Sequence, residues 1–155
     1  NTLDGFVGNV DNLVKENVLD YKKEGKNKIF YIKNNLKSKN YVYSAEIYKL
    51  NKLLIQYPEL NILLEDIKKN FHKGMIILFG SYAKGNPKKD SDIDIYIETN
   101  NNKIKLILQE LNSKLSIKIG KFNINSLLIR EIIKNHIIIG EIEEFYEKTK
   151  FFEQT

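Results

Sequence analysis

The chain has no cysteine, which excludes disulfide bridges and thiolate metal sites. Its two histidines, His72 and His136, are too few for a histidine-built metal centre, and each is expected at a helix end or on the surface. No apolar run approaches the roughly 18 residues of a membrane span, and no secretory signal opens the chain. The expectation is a cytoplasmic protein with no membrane association. Asn1 rather than Met stands first, which suggests that a longer natural protein precedes this stretch. One further absence bears on chemistry: no Asp or Glu occurs between Glu110 and Glu131.

Hydrophobic residues make up 42% of the 155, enough for a packed core and too many for a disordered chain. Lys and Arg exceed Asp and Glu by 25 to 20, a mild basic excess compatible with nucleotide or nucleic-acid partners and equally with a lysine-rich solvated surface. Two β-like runs, "NVLDYKKE" and "NKIFYIKN", flank Gly25 and read as a hairpin. Its tip carries Lys22, Lys23, Lys26 and Lys28. One reading is a solvated hairpin. The sharper one is the wing of a winged helix-turn-helix, with lysines facing DNA phosphates.

From Tyr41 the apolar period becomes helical: Tyr43, Ile47, Leu50, Leu54 and Tyr57 recur at three- and four-residue steps. Pro58 suits the first turn of a second helix, striped by Leu60, Leu63, Leu64, Ile67 and Phe71 and stopped at Gly74. "MIILF" (75–79) reads as a strand buried on both faces. "DIDIYIE" (92–98) alternates, so Ile93, Ile95 and Ile97 face a core. Ile104, Ile107, Leu108, Leu111 and Leu115 form another helical stripe, and "LSIKIGKF" (115–122) alternates again as a third strand. Residues 125–135 read as a helix, "HIIIG" as a short apolar stretch, and Glu141–Phe152 as a closing helix. A seam near 34–40 divides the chain into residues 1–36, a partial winged-helix-like segment, and 37–155, the main domain with its leading helices. The fold class expected is α/β (α+β): a mixed, partly antiparallel sheet with helices on one side.

The chemistry lies in "LFGSYAKGNPKKDSDIDIYIE" (78–98). Side chains alternate along a strand, so Asp92 and Asp94 share a face and can converge on one cation. Two ionised acids that close repel unless a positive charge lies between them. All-oxygen ligands of this kind suit Mg²⁺, which is held by a few carboxylates plus substrate phosphates. Upstream, Gly80 lets backbone approach a ligand closely, and Ser81 with the N–H groups of a helix start makes an anion site. Lys84, Lys88 and Lys89 add positive charge. Asp90 is expected in the connecting turn.

"LFGSYAKG…SDIDIYI" resembles the G-S…D-x-D motif of the DNA polymerase β nucleotidyltransferase superfamily, and in particular its minimal nucleotidyltransferases, over residues 75–98. The upstream hairpin and helices resemble archaeal members with an N-terminal winged helix. The resemblance implies transfer of a nucleoside monophosphate, AMP by preference, from an NTP such as ATP to a hydroxyl. Gly80, Ser81 and Lys84 would hold the triphosphate, and Asp92 and Asp94 would bind Mg²⁺ and act as the catalytic acids. Some relatives are antitoxins that adenylylate a HEPN-type toxin, so a protein partner is a candidate besides the nucleotide.

The superfamily usually draws a third carboxylate from the next strand. Here that strand offers Ser116, Lys118 and Gly120 on the relevant face and no acid; Asp90 and Glu98 are the remaining substitutes. Two alternatives to the enzyme therefore stand: a catalytically weakened nucleotide- or DNA-binding regulator, with Lys118 on a phosphate, and an antitoxin-like interaction module.

Overall fold

A computed structural model describes residues 10–153. A short helix α1 (Val10–Lys15) leads into the hairpin β1 (Leu19–Glu24) and β2 (Asn27–Ile32), paired antiparallel from Leu19–Ile32 at its base to Glu24–Asn27 at its tip. Leu13, Val18 and Leu19 form a small core of their own against Ile32 and Tyr41. Polar contacts tie the start of the hairpin to the chain beyond it: the Ser38 hydroxyl donates to the Val18 carbonyl (3.1 Å) and the Asn35 amide to that of Asn17 (2.9 Å).

Asn35 also accepts from Ser38 N–H at 2.9 Å and so caps α2 (Leu36–Gln56). This cap starts the helix five residues before the expected Tyr41. The turn at Pro58 precedes α3 (Leu60–Asn70), which ends at Phe71, three residues short of Gly74.

Strands β3 (Ile76–Phe79), β4 (Ile93–Glu98), β5 (Leu115–Gly120) and β6 (Ile137–Gly140) form one sheet in the order β5-β4-β3-β6. β3 runs antiparallel to both neighbours, while β4 and β5 are parallel, so the sheet is mixed as expected. The parallel pair needs a crossover, supplied by α5 (Asn102–Gln109). The stripe read through Leu111 and Leu115 is cut short there: Leu111 falls in a turn and Leu115 opens β5. Gln109 then accepts from Ile117 N–H at 3.2 Å and donates to the Leu115 carbonyl, covering part of the outer edge of β5.

Alternation divides the core. Ile93, Ile95 and Ile97 join Leu60, Leu64 and Ile67 of α3 and Leu108 of α5 on one face. Met75, Ile77, Phe79 and Tyr96 face the other way, onto Ile129 and Ile132 of α6 (Leu127–Lys134) and Phe145 and Tyr146 of α7 (Ile142–Lys148). The expected helix layer on one side is thus joined by a second layer. β3, sandwiched between them, is buried throughout. The closing helix stops at Lys148 and a 3₁₀ turn (Phe151–Glu153) completes it.

α2 is fastened to the second layer by a buried polar cluster. Glu46 is 4% exposed. One carboxylate oxygen accepts from the Tyr146 hydroxyl and meets His136 Nε2 at 3.1 Å; the other lies 2.9 Å from the Lys49 ammonium. His136 lies two residues beyond α6, neither within the helix nor on the surface, with its Nδ1 close to the Ile132 and Ile133 carbonyls of that helix. Burial pushes the Glu46 carboxyl up, but His136 and Lys49 outweigh it and hold the group below the usual carboxylate range. A lowered folded-state pKa stabilises the fold above the unfolded-chain value, and that stability is lost as pH falls through the folded value. Denaturant unfolding should therefore show stability declining below about pH 4, with a shallower decline in Glu46→Gln. Glu46→Ala removes the carboxylate partner of Lys49 and His136 and should cost about 3–5 kcal/mol near neutral pH.

Candidate active site

The site is built where β3 ends. Tyr82, packed edge-to-face on Tyr57 with ring centroids 5.2 Å apart, anchors the one-turn helix α4 (Gly80–Lys84) against the core. Gly80 takes φ +70°, a conformation that costs a side-chain-bearing residue about 1–2 kcal/mol. Space imposes glycine as well. A Cβ on Gly80 would lie 2.2 Å from Asp94 Oδ2 and 3.0 Å from its Cγ. The contact follows from register, because Phe79 and Asp94 are ladder partners in the β3–β4 pair. The carboxylate of Asp94 therefore rests on the Gly80-Ser81 bend.

Ser81 is half-buried beside it. Among the described residues no side chain caps the start of α4, and the first N–H groups of a helix have no partner within it. A five-residue helix has little dipole, and positive charge here comes chiefly from lysines. Ten residues separate Ser81 from Asp92. After α4, residues 85–91 form an irregular connection in which Lys88 N–H donates to Ser91 Oγ at 2.7 Å and Lys114 donates to the Lys89 carbonyl at 3.1 Å. Lys84, Lys88, Lys89 and Asp90 are all exposed there, with Asp90 in the turn as expected.

Asp92 is exposed and Asp94 half-buried. Burial raises the Asp94 pKa, the negative charges of Asp92 and Glu131 raise it further, and Lys118 and Lys84 offset part of the rise. One cluster thus gathers Asp92, Asp94, Lys84 and Lys118, which the sequence singled out, and Glu131, which it did not. Glu131 sits on α6 with Oε1 3.8 Å from the Lys84 ammonium. No spacing rule reaches it, because its place depends on how α6 packs over the sheet. Glu98 lies away from this cluster: it accepts from Met75 N–H at 3.2 Å and pairs with Lys148.

Two carboxylates on one strand form a hard, all-oxygen donor pair that suits Mg²⁺. Among the described residues no group of three or more His, Asp or Glu could hold a metal, so a cation here would draw its remaining ligands from substrate oxygens and water. Asp92 and the lysines around it are exposed, while Ser81 and Asp94 are half-buried. A cavity of about 470 Å³ lies elsewhere, lined by Leu19, Phe30, Ile32, Glu46 and His136 among others. Charge and backbone geometry converge instead at the aspartates. The hairpin lysines Lys22, Lys23, Lys26 and Lys28 are exposed, with Lys28 over the Tyr21 ring (4.5 Å) and Lys22 over Tyr31 (5.4 Å). Among the described residues one short helix precedes them.

A mixed sheet with a glycine-serine bend under a D-x-D strand is the arrangement of a nucleotidyl-transfer domain. The family description "Nucleotidyltransferase domain" matches residues 60–152, and the chain belongs to that family, whose reaction is transfer of a nucleoside monophosphate. A protein of Methanocaldococcus jannaschii named "Putative protein adenylyltransferase" is 43% identical over 84 residues, covering 50% of this chain and 67% of its own. Among solved structures, one titled "Crystal structure of the toxin-antitoxin with AMP-PNP" aligns at 26% identity and a TM-score of 0.42, over 69% of this chain and 86% of its own.

Two outcomes are expected from the geometry. Gly80→Ala should lose about 1–2 kcal/mol of stability in denaturant titrations from backbone strain alone, and more if the Asp94 carboxylate is displaced. Asp94 has a raised pKa, so its ionised form is disfavoured by folding and its contribution to stability falls as pH rises through the folded-state value. Asp94→Asn should therefore raise the melting temperature of the metal-free protein at pH 7.

Proposed function

We propose that this chain moves AMP from ATP to a hydroxyl group on a protein, with Mg²⁺ as the metal. The reading is carried by one observation: the Asp94 carboxylate lies against the Gly80-Ser81 bend, so a polyphosphate held by the bend and a cation held by Asp92 and Asp94 would share one place. The similarity to a protein named as an adenylyltransferase supports AMP and a protein acceptor.

In this reading Ser81 and the uncapped N–H groups of α4 bind phosphate oxygens, and Lys84 neutralises part of their charge. Asp92 and Asp94 would hold the metal, which when bound would supply charge neutralisation at the reacting phosphate and the leaving group. The acceptor oxygen bonds to the α-phosphorus, the bond from that phosphorus to the bridging oxygen breaks, and pyrophosphate leaves with the electron pair. The hydroxyl proton passes to a base.

A second role is proposed for the hairpin. Its lysines are exposed and project from a two-stranded ribbon, a form that can lie along a nucleic-acid backbone. Duplex affinity that falls steeply with salt, and falls again in the double variant Lys23→Ala with Lys26→Ala, supports that role; salt-independent or absent binding rejects it.

The transferase is tested by incubating the full chain with Mg²⁺, ATP labelled at the α-phosphate, and Ser-, Thr- and Tyr-containing peptide mixtures. Label should become covalently attached from α-labelled but not γ-labelled ATP. Asp92→Ala and Asp94→Ala should each lower the rate by at least about 10²-fold. Attachment from γ-labelled ATP, or variants as active as the parent, would falsify the reading.

A further inference from the structure

We infer that Glu131 is the base that takes the acceptor proton, and that Lys84 holds it in an ion pair until a triphosphate claims the ammonium. The inference rests on the nucleotidyl-transfer reading and supplies the acid that β5 lacks.

Four observations place Glu131 for this work. First, α6 lies on the face of the sheet that bears the aspartates: Ile129 and Ile132 share a core cluster with Phe79, the ladder partner of Asp94, and with Tyr96, which lies on the same side of β4 as Asp94. Glu131, between those two isoleucines in sequence, is turned outward with its side chain 49% exposed. Second, its carboxylate is 3.8 Å from Lys84 Nζ, and Lys84 ends the short helix that Gly80 and Ser81 begin. The glutamate therefore stands at the rim of the polyphosphate cradle. Third, Glu131 and Asp92 are the acids whose charges act on Asp94, while Lys118, on β5, acts in the opposite sense. Fourth, the acids here do not assemble a three-residue metal-binding group among the described residues.

The Lys84–Glu131 pair is long and both side chains are close to half exposed, so it is weak and easily exchanged. A triphosphate offers Lys84 several charged oxygens in place of one carboxylate. Exchange leaves Glu131 ionised, unpaired from Lys84 and beside the incoming hydroxyl. As that oxygen bonds to the α-phosphorus and pyrophosphate departs, the O–H proton moves to the Glu131 carboxylate, which becomes neutral and later returns the proton to water. ATP binding would thus arm the base.

The test uses the full chain and separates binding from turnover. Binding of a fluorescent methylanthraniloyl-ATP with Mg²⁺ should be about 1.5- to 5-fold tighter in Glu131→Gln, because Lys84 loses its competitor, and weaker in Lys84→Met. In the peptide-labelling assay, Glu131→Gln should lower kcat by about 10²–10⁴-fold without raising KM for ATP, and Glu131→Asp should recover part of the loss. Weaker nucleotide binding by Glu131→Gln overturns the exchange. Transfer by Glu131→Gln at the parental rate overturns the base while leaving the transferase reading intact. A parental chain that binds Mg·ATP and labels nothing overturns both.

Discussion

The contact between Gly80 and the Asp94 carboxylate is the constraint on which the candidate site depends. It requires β3 and β4 to pair in the one register that sets Phe79 opposite Asp94. It also requires a residue with no side chain at the bend, since a Cβ would occupy the carboxylate's place. Strand pairing, a positive φ and a close approach thus meet at one residue. A slip of one residue in the ladder would turn Asp94 into the isoleucine core and Ile93 and Ile95 onto the open face. Burial of those isoleucines against α3 and α5 therefore secures the position of a charged group on the opposite side.

This coupling explains how an acid is held where it is electrostatically disfavoured. Asp94 is partly desolvated and feels the negative charges of Asp92 and Glu131, all of which oppose its ionisation. Two lysines relieve only part of that. Perturbed acids of this sort gather at functional sites. The Glu46 cluster shows the other outcome. There a buried carboxylate finds Lys49, His136 and Tyr146 within the protein and its pKa falls. Both are acids with restricted access to solvent. The difference is whether the chain itself provides the partners.

Much of this was legible in the chain. The run from Leu78 to Glu98 encodes its own local structure: an apolar strand, a glycine where only glycine fits, a polar turn and an alternating strand. Period-two and helical patterns located the strands and most helices for the same reason, because burial on one face leaves a regular trace. The errors fell at ends. α2 began early because the Asn35 cap outweighed the lack of an apolar stripe in its first turn, and α5 ended before Leu111 although the stripe ran on. The second helix layer was less legible, since β3 reads only as an apolar run and does not say which helix covers which face.

The sequence by itself determined the strand–bend–strand unit, the shared face of Asp92 and Asp94, and the absence of an acid on β5, because each depends on neighbours within about twenty residues and on the two-residue period of a strand. Only the tertiary structure decided that Glu131 reaches the same site and that Glu98 does not. Glu131 lies 37 residues beyond Asp94 in the chain, and its place is set by Ile129 and Ile132 packing onto Phe79 and Tyr96. Glu98 lies four residues beyond Asp94 on the same strand, but the length of β4 carries it to the far end, where it pairs with Lys148. Distance along the chain ranks the two acids one way; packing of a helix onto a sheet ranks them the other.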